Sequence, residues 1–234
     1  MSVILLVRHA QASFGKADYD ALSETGERQC EVVGRALAAR GVEPALLVTG
    51  GMRRHRETLD YAARAAGWTA PTDVDEGWDE FAHEQVIAVH KPGYRSQMVM
   101  KADLARTLKP RKAFQEMFEA ATARWAAGEN DGDYAETFAA FGERVQAAFQ
   151  RTSARLDSKQ TAVVFTSGGP ISRVAATILS PSGGCDAELW GRLNITTINA
   201  AVTKIVIGSR GATLVSANDH SHLEAAEAGL VTYR

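Results

Sequence analysis

The sequence is poor in several features, and each shortage removes a class of function. Cysteine is scarce: Cys30 and Cys185 lie far apart in 234 residues with no C-x-x-C or Cys/His spacing, so neither a disulfide framework nor a zinc site is indicated. No charge of one sign dominates either. The 26 Lys+Arg and 28 Asp+Glu give a formal net charge of -2, which excludes a protein whose main work is neutralising nucleic acid or lying on an anionic membrane. Long apolar runs are missing too. Residues 3–7 run directly into Arg8, far short of a signal segment or a spanning helix, and the expected compartment is the cytoplasm. What remains, at 45% hydrophobic and 23% charged residues, is an ordinary globular composition long enough to bury a substantial core. Any electrostatic function must therefore be local.

Short β-branched runs recur, each followed by a longer helical pattern. Residues 3–7 and 162–166 read as strands buried on both faces, as a parallel sheet requires, with 45–49 a weaker third. Residues 201–207 and 212–216, parted by Gly208-Ser209-Arg210-Gly211, read as a hairpin or two adjacent strands, so the sheet is mixed. Helices are expected at 27–40 and 54–66, each closed by a glycine, and at 171–179 after Pro170. Strand and helix in alternation give an α/β fold. From about 82 to 157 no strand is convincing; Phe114, Met117, Phe118, Ala121 and Trp125 keep helical spacing, as do Phe138, Phe141, Val145, Phe149 and Leu156. We read this stretch as a helical insertion over one end of the sheet. Lys101, Arg106, Lys109, Arg111 and Lys112 within it are a solvated basic face or a substrate-gating surface.

Three polar clusters fall at strand ends: Arg8-His9, Gly50-Gly51-Met52-Arg53-Arg54, and Ser167-Gly168-Gly169-Pro170. If those strands are neighbours the clusters converge, because ligands in open α/β sheets bind at the carboxyl ends of parallel strands. Phosphoryl transfer is the chemistry they could share. Guanidinium forks on Arg8 and Arg54 and free amides at the Gly-Gly-Pro helix start suit phosphate oxygens. His9 is a candidate acceptor, since an imidazole nitrogen is nucleophilic once the other ring nitrogen donates to a carbonyl. Taken alone, 53–56 also reads as an exposed helix start.

Here the chain resembles the histidine phosphatase, or phosphoglycerate-mutase-like, superfamily over nearly its whole length. Leu5-Leu6-Val7-Arg8-His9-Ala10 is similar to the family's strand followed by Arg-His-Gly, with Ala10 in place of glycine. The run from Leu22-Ser23 through Gly26 to Gln29 resembles its Leu-Thr-x-x-Gly-x-x-Gln segment, and Arg54 with Thr58 its Arg-x-x-x-Thr helix start. The resemblance implies one domain over 1–234, a three-layer α/β/α sandwich with a mostly parallel central sheet and the helical insertion over the active-site end. It also implies that His9 is transiently phosphorylated, that Arg8 and Arg54 bind the phosphoryl group, and that a carboxylic acid protonates the leaving alcohol without any metal or cofactor. Glu80, after Trp78-Asp79 and before Phe81, best matches the family's acid, with Glu76 and Asp79 as rivals; its role requires a pKa raised by partial burial.

Two departures stand out. Ser167 occupies the place of the family's usual second histidine, where a hydroxyl donates one hydrogen bond but brings no charge; the expected deficit is on the order of 3 kcal/mol. Ser167 also reads as the N-cap of the helix it precedes, and Gly168 as a phosphate-binding amide. Gly15 stands where mutases commonly have an asparagine, with Gln11 or Ser13 as substitutes. His55, at a position the family usually fills with alanine, is taken as a surface or packing residue, as are His83 and His90; His220 and His222 are taken as structural.

The leading expectation is a phosphatase acting on phosphate monoesters through phosphohistidine at His9. A mutase-type phosphotransferase is the near alternative, disfavoured by Phe81-Ala82-His83 after Glu80. A catalytically weak phospho-ligand binding protein is another, given Ser167. A serine hydrolase using Ser167, Asp219 and His220 or His222 leaves Arg8, His9 and Arg54 unexplained. The partner expected is a small phosphorylated substrate, with neither nucleic acid nor membrane, and an apolar helical face leaves a homodimer open.

Overall fold

The computed structural model describes residues 1–13, 20–180 and 184–233. Its strands are β1 (Ser2–Arg8), β2 (Leu46–Thr49), β3 (Thr72–Val74), β4 (Thr161–Thr166), β5 (Val202–Gly208) and β6 (Gly211–Asp219), in one sheet ordered β3-β2-β4-β1-β5-β6. The first four run parallel, and β5 and β6 add an antiparallel edge. The helices are α1 (Glu24–Ala39), α2 (Arg53–Ala66), α3 (His83–His90), α4 (Gln97–Ala105), α5 (Pro110–Ala126), α6 (Phe138–Ala154), α7 (Gly168–Leu179), α8 (Ala187–Thr196) and α9 (Ser221–Ala226).

Strand alternation builds the three layers. On β1, Ile4 and Leu6 point into a core shared with α3, α5, α6, α7 and α8, while Leu5 and Val7 point into one shared with α1, α2 and α9. Both faces are covered, so the continuous apolar runs of β1 and β4 have no solvent side. The fold is the α/β sandwich with a mostly parallel sheet that the sequence suggests, and 201–207 and 212–216 belong to an antiparallel hairpin.

Some boundaries differ from expectation. Helix α1 starts at Glu24, ahead of the expected 27, because Ser23 caps it by accepting the Gly26 amide at 3.0 Å. Strand β3 and helix α8 carry no strong sequence signal. The first is three residues long and partly exposed; the second buries only Trp190 and Asn194. Between 82 and 157 the described residues contain no strand, as expected. Phe81, Trp125, Phe138, Phe141 and Trp190 form an aromatic cluster there, with Phe81 stacked 4.7 Å from Trp125 and Phe138 edge-on 5.0 Å from Trp190. Helix α4 by contrast buries no residue, and Lys101, Arg106, Lys109, Arg111 and Lys112 are all exposed. No helix among the described residues is long and apolar enough to cross a membrane.

The order of strands decides where the site lies. Because β4 lies between β1 and β2, with Arg8 level with Thr166 and Thr49 level with Phe165, the three polar clusters emerge side by side at one sheet edge.

Candidate active site

Arg8, His9 and Arg54 are 4%, 9% and 7% exposed. Three elements hold His9. Its amide donates to Thr166 O at 2.7 Å, its carbonyl accepts from Asn199 Nδ2 at 3.0 Å, and the next amide, Ala10, donates to Thr58 Oγ1 at 3.1 Å. Thr58 in turn donates to Arg54 O at 2.6 Å, so the Arg-x-x-x-Thr spacing ties the start of α2 to the residue after His9. The His9 Nδ1 lies 2.8 Å from Ala10 O. Only a protonated Nδ1 makes that bond, which leaves Nε2 as the lone-pair nitrogen in the neutral ring. Burial, then Arg54, Arg8 and His55 in that order, hold His9 well below the usual histidine range, against the opposing pull of the Ala10 carbonyl. The ring is therefore a neutral base between two guanidinium groups. Arg8 donates through Nη1 to Thr197 O, and Arg54 through Nη1 to Asp20 Oδ1 at 2.5 Å. The Asp20 carboxylate thus covers part of the charge that a phosphoryl group would meet.

His55 goes beyond expectation. Of the two expected places, surface and packing, it takes the second, being 0% exposed, but it is also polar-bonded in the site: its ring centroid is 5.7 Å from that of His9, and its Nε2 lies 2.7 Å from Ser167 Oγ. Ser167 likewise departs from expectation as a side-chain cap. It occupies the N-cap position of α7 but makes no capping bond, because its hydroxyl is engaged with His55. The Asp79 Oδ1 lies 3.5 Å from His55 Nδ1, an ion-pair contact longer than a hydrogen bond. The same carboxylate accepts the Gly51 amide at 2.6 Å and the Met52 amide at 3.3 Å, capping α2 from across the loop where Met52 has no capping side chain. Burial pushes the Asp79 carboxyl up, but His55 and the two amides more than reverse it and leave it below its ordinary value. Burial dominates at His55 and lowers its pKa, Asp79 opposing and Arg54 assisting.

Glu80 is half-buried beside the start of α7. Its Oε2 accepts the Gly169 amide at 3.2 Å, and a Cβ on residue 169 would collide with its Oε1, so only glycine lets the carboxylate approach that closely. Trp78 and Phe81 flank it in sequence at 0% and 1% exposure. The loop bearing it hangs on α6: Arg144 Nη1 donates to the carbonyl oxygens of Glu76, Gly77 and Asp79 at 3.3, 3.1 and 2.9 Å while its other nitrogens grip Glu136. Arg151 binds Asp75 through two bonds. Of the acid's rivals, Asp79 is committed to His55 and α2. The Gly168 Cβ position lies 3.8 Å from Arg8 Nε, so this amide segment borders the arginine.

Asp219, His220 and His222 lie elsewhere and do not join Ser167. Burial pushes the Asp219 carboxyl up, but the Ser221 hydroxyl and amide, then Arg40, bring it down to about 2, while His222 Nε2 contacts Ala200 O and His220 Nδ1 contacts Asn218 O. Gly15 falls outside the described residues. Ser13 and Gln11 are occupied locally, the first donating to Leu22 O and the second accepting from Ser23 Oγ. No metal-binding cluster of His, Cys, Asp and Glu occurs among the described residues. Asn199 has no motif in the sequence to announce it, and Asp79, expected only as a rival acid, anchors the start of α2 instead.

A buried imidazole between paired arginines, at the carboxyl edge of a mostly parallel sheet, defines a phosphoryl-transfer class of protein. The family model of the histidine phosphatase superfamily (branch 1) matches residues 4–91 and 103–220, and the chain belongs to that superfamily. Among solved structures it is similar to a phosphoglycerate mutase from Bacillus anthracis, at 16% identity and a TM-score of 0.61 over 94% of each chain. A phosphoserine phosphatase from Entamoeba histolytica, solved with phosphoserine, matches at 16% identity and 0.63, over 95% of this chain and 100% of that one. A mycobacterial glucosyl-3-phosphoglycerate phosphatase matches at 18% identity and 0.58, over 92% and 98%. Comparison with curated proteins gives no match.

Proposed function

We propose that the protein is a phosphatase of small phosphate monoesters, working through a phosphohistidine at His9. In this reading His9 Nε2 attacks phosphorus while Arg8 and Arg54 spread the charge of the phosphoryl oxygens. Ser167 and the Gly168 amide contact the same oxygens. Glu80 gives its proton to the departing alkoxide, then accepts one from the water that attacks phosphohistidine. The bond from phosphorus to the alcohol oxygen breaks as the bond to nitrogen forms; hydrolysis returns His9 and releases inorganic phosphate. The two guanidinium groups supply the positive charge, so the reading requires no metal.

One observation carries it: the Nδ1 of a neutral, buried His9 is committed to Ala10 O between Arg8 and Arg54, which leaves Nε2 as the nucleophile. The solved neighbours support a small phosphorylated substrate, since phosphoserine and phosphoglycerate derivatives are theirs. A panel of alkyl and sugar phosphates run on wild type and His9→Ala tests the reading. Phosphate release is expected from the wild type, with a labelled phosphohistidine trapped by rapid acid-free quench. Release that persists in His9→Ala would sink it, and transfer between phosphoglycerates outpacing release would make it a mutase.

A further inference from the structure

We propose that Asp79, His55 and Ser167 form a proton-operated switch, in which protonation of His55 turns the Ser167 hydroxyl from a donor to the imidazole into a donor to a bound phosphoryl oxygen. The proposal rests on the phosphoryl-transfer reading above and assigns work to His55 and Asp79, which that reading does not use.

Hydrogen-bond counting carries the inference. Ser167 Oγ and His55 Nε2 are 2.7 Å apart and both residues are fully buried, so one of the two must donate to the other. In the neutral ring the proton belongs on Nδ1, because a lone pair there would face the Asp79 carboxylate at 3.5 Å. Nε2 then accepts the serine proton. A hydroxyl has only one proton, so Ser167 in this state turns lone pairs toward its remaining neighbours and would repel an arriving dianion.

Adding a proton to His55 reverses the pair. Nε2–H donates to Oγ, and the serine proton is released to point at a phosphoryl oxygen. Nδ1–H shortens its contact with Asp79, which is already ionised and anchored by the Gly51 and Met52 amides. The proton comes from solvent as the anion binds and leaves when phosphate departs, so charge balances at each step.

The groups facing His55 fix when this happens. Asp79 and Glu80 come from the acid loop, Arg54 from its own helix, His9 from the end of β1, and Ser167 from the end of β4. In the empty pocket burial and Arg54 favour the neutral ring, whereas a dianion lodged between Arg8 and Arg54 favours the charged one. The pocket thereby acquires this additional positive charge only when it is occupied. His55 and Asp79 act as positioning residues, and Ser167 makes the contact.

Sulfate is the appropriate probe because it does not titrate near neutral pH. Calorimetry of sulfate binding to His9→Ala at pH 7.5, in buffers of different ionisation enthalpy, counts protons without interference from His9. We expect an uptake of about one proton per sulfate. The uptake should vanish in His9→Ala/His55→Gln, and also in His9→Ala/Asp79→Asn. Sulfate bound with no proton uptake overturns the switch while leaving the phosphoryl site standing. Absence of both sulfate binding and wild-type phosphatase turnover removes that site and the switch with it.

Kinetics on the wild-type background give an independent readout. Ser167→Ala, which leaves His55 in place, and His55→Gln should each lower kcat by about tenfold. The double variant should fall no further than either single, because both act through one hydroxyl. The fall in kcat/KM on the alkaline side should flatten in His55→Gln. Multiplicative losses, or an alkaline limb unchanged by His55→Gln, would overturn the proposal.

Discussion

Two regions of the molecule are built by different physics. On the phosphoryl side Arg8, His9, Arg54, His55 and Ser167 are all 9% exposed or less and are fixed by bonds between strand ends and α2. Along α4, by contrast, no residue is buried, and Met98 and Leu108 are 80% and 102% exposed. Charge works hardest where water is excluded, so the dry region is suited to recognising what every phosphate ester shares. The exposed region has no such shell, and charge placed there is screened by water.

Substitutions should respect that division, and their effects should decline from the dry region to the exposed one. His9→Ala should reduce turnover by at least about a thousandfold in steady-state phosphate release. Arg54→Lys keeps the charge but loses the fork, and should cost about a hundredfold in kcat/KM across all substrates alike. Glu80→Gln comes next. It should lower kcat by about a hundredfold for alkyl phosphates but much less for p-nitrophenyl phosphate, whose leaving group needs no proton. Leu108→Ser should leave both phosphate inhibition and turnover within about twofold. A general loss of phosphate affinity from that change would erase the distinction.

Stability should follow the buried histidines as well. His9, His55 and His222 all have pKa values lowered from 6.5, chiefly by burial. The unfolded chain binds protons near 6.5 that the folded chain refuses, so this contribution is fully present above that pH and is lost as pH falls toward the folded values. Thermal melts from pH 8 to pH 5 should show declining stability below 6.5, and saturating sulfate should offset part of the decline by stabilising charged imidazoles.

Much of this was legible in the residues. The strand runs at 3–7 and 162–166, the clusters that follow them and the helical period of 138–156 are strong patterns, because a doubly covered strand and an amphipathic helix each impose a period. Arg8, His9 and Arg54 stand at strand ends or helix starts where spacing points to them. His55 did not, because a histidine on a helix shows its partner only when β4 is laid beside β2 and Ser167 arrives from far along the chain. Asp79 was hidden for a related reason: it neighbours Glu80, and two adjacent carboxylates look interchangeable until one is seen capping α2. Strand β3, short and at the sheet edge, has too little apolar alternation to read.

Arg144 carries a consequence for the acid. By holding three carbonyl oxygens of the loop before Glu80 from α6, it makes the location of Glu80 depend on a helix far along the chain. Helix α4, which buries nothing, makes none of these bonds, so the loop's mooring does not pass through it. Where Glu80 sits is decided by one arginine far along the chain.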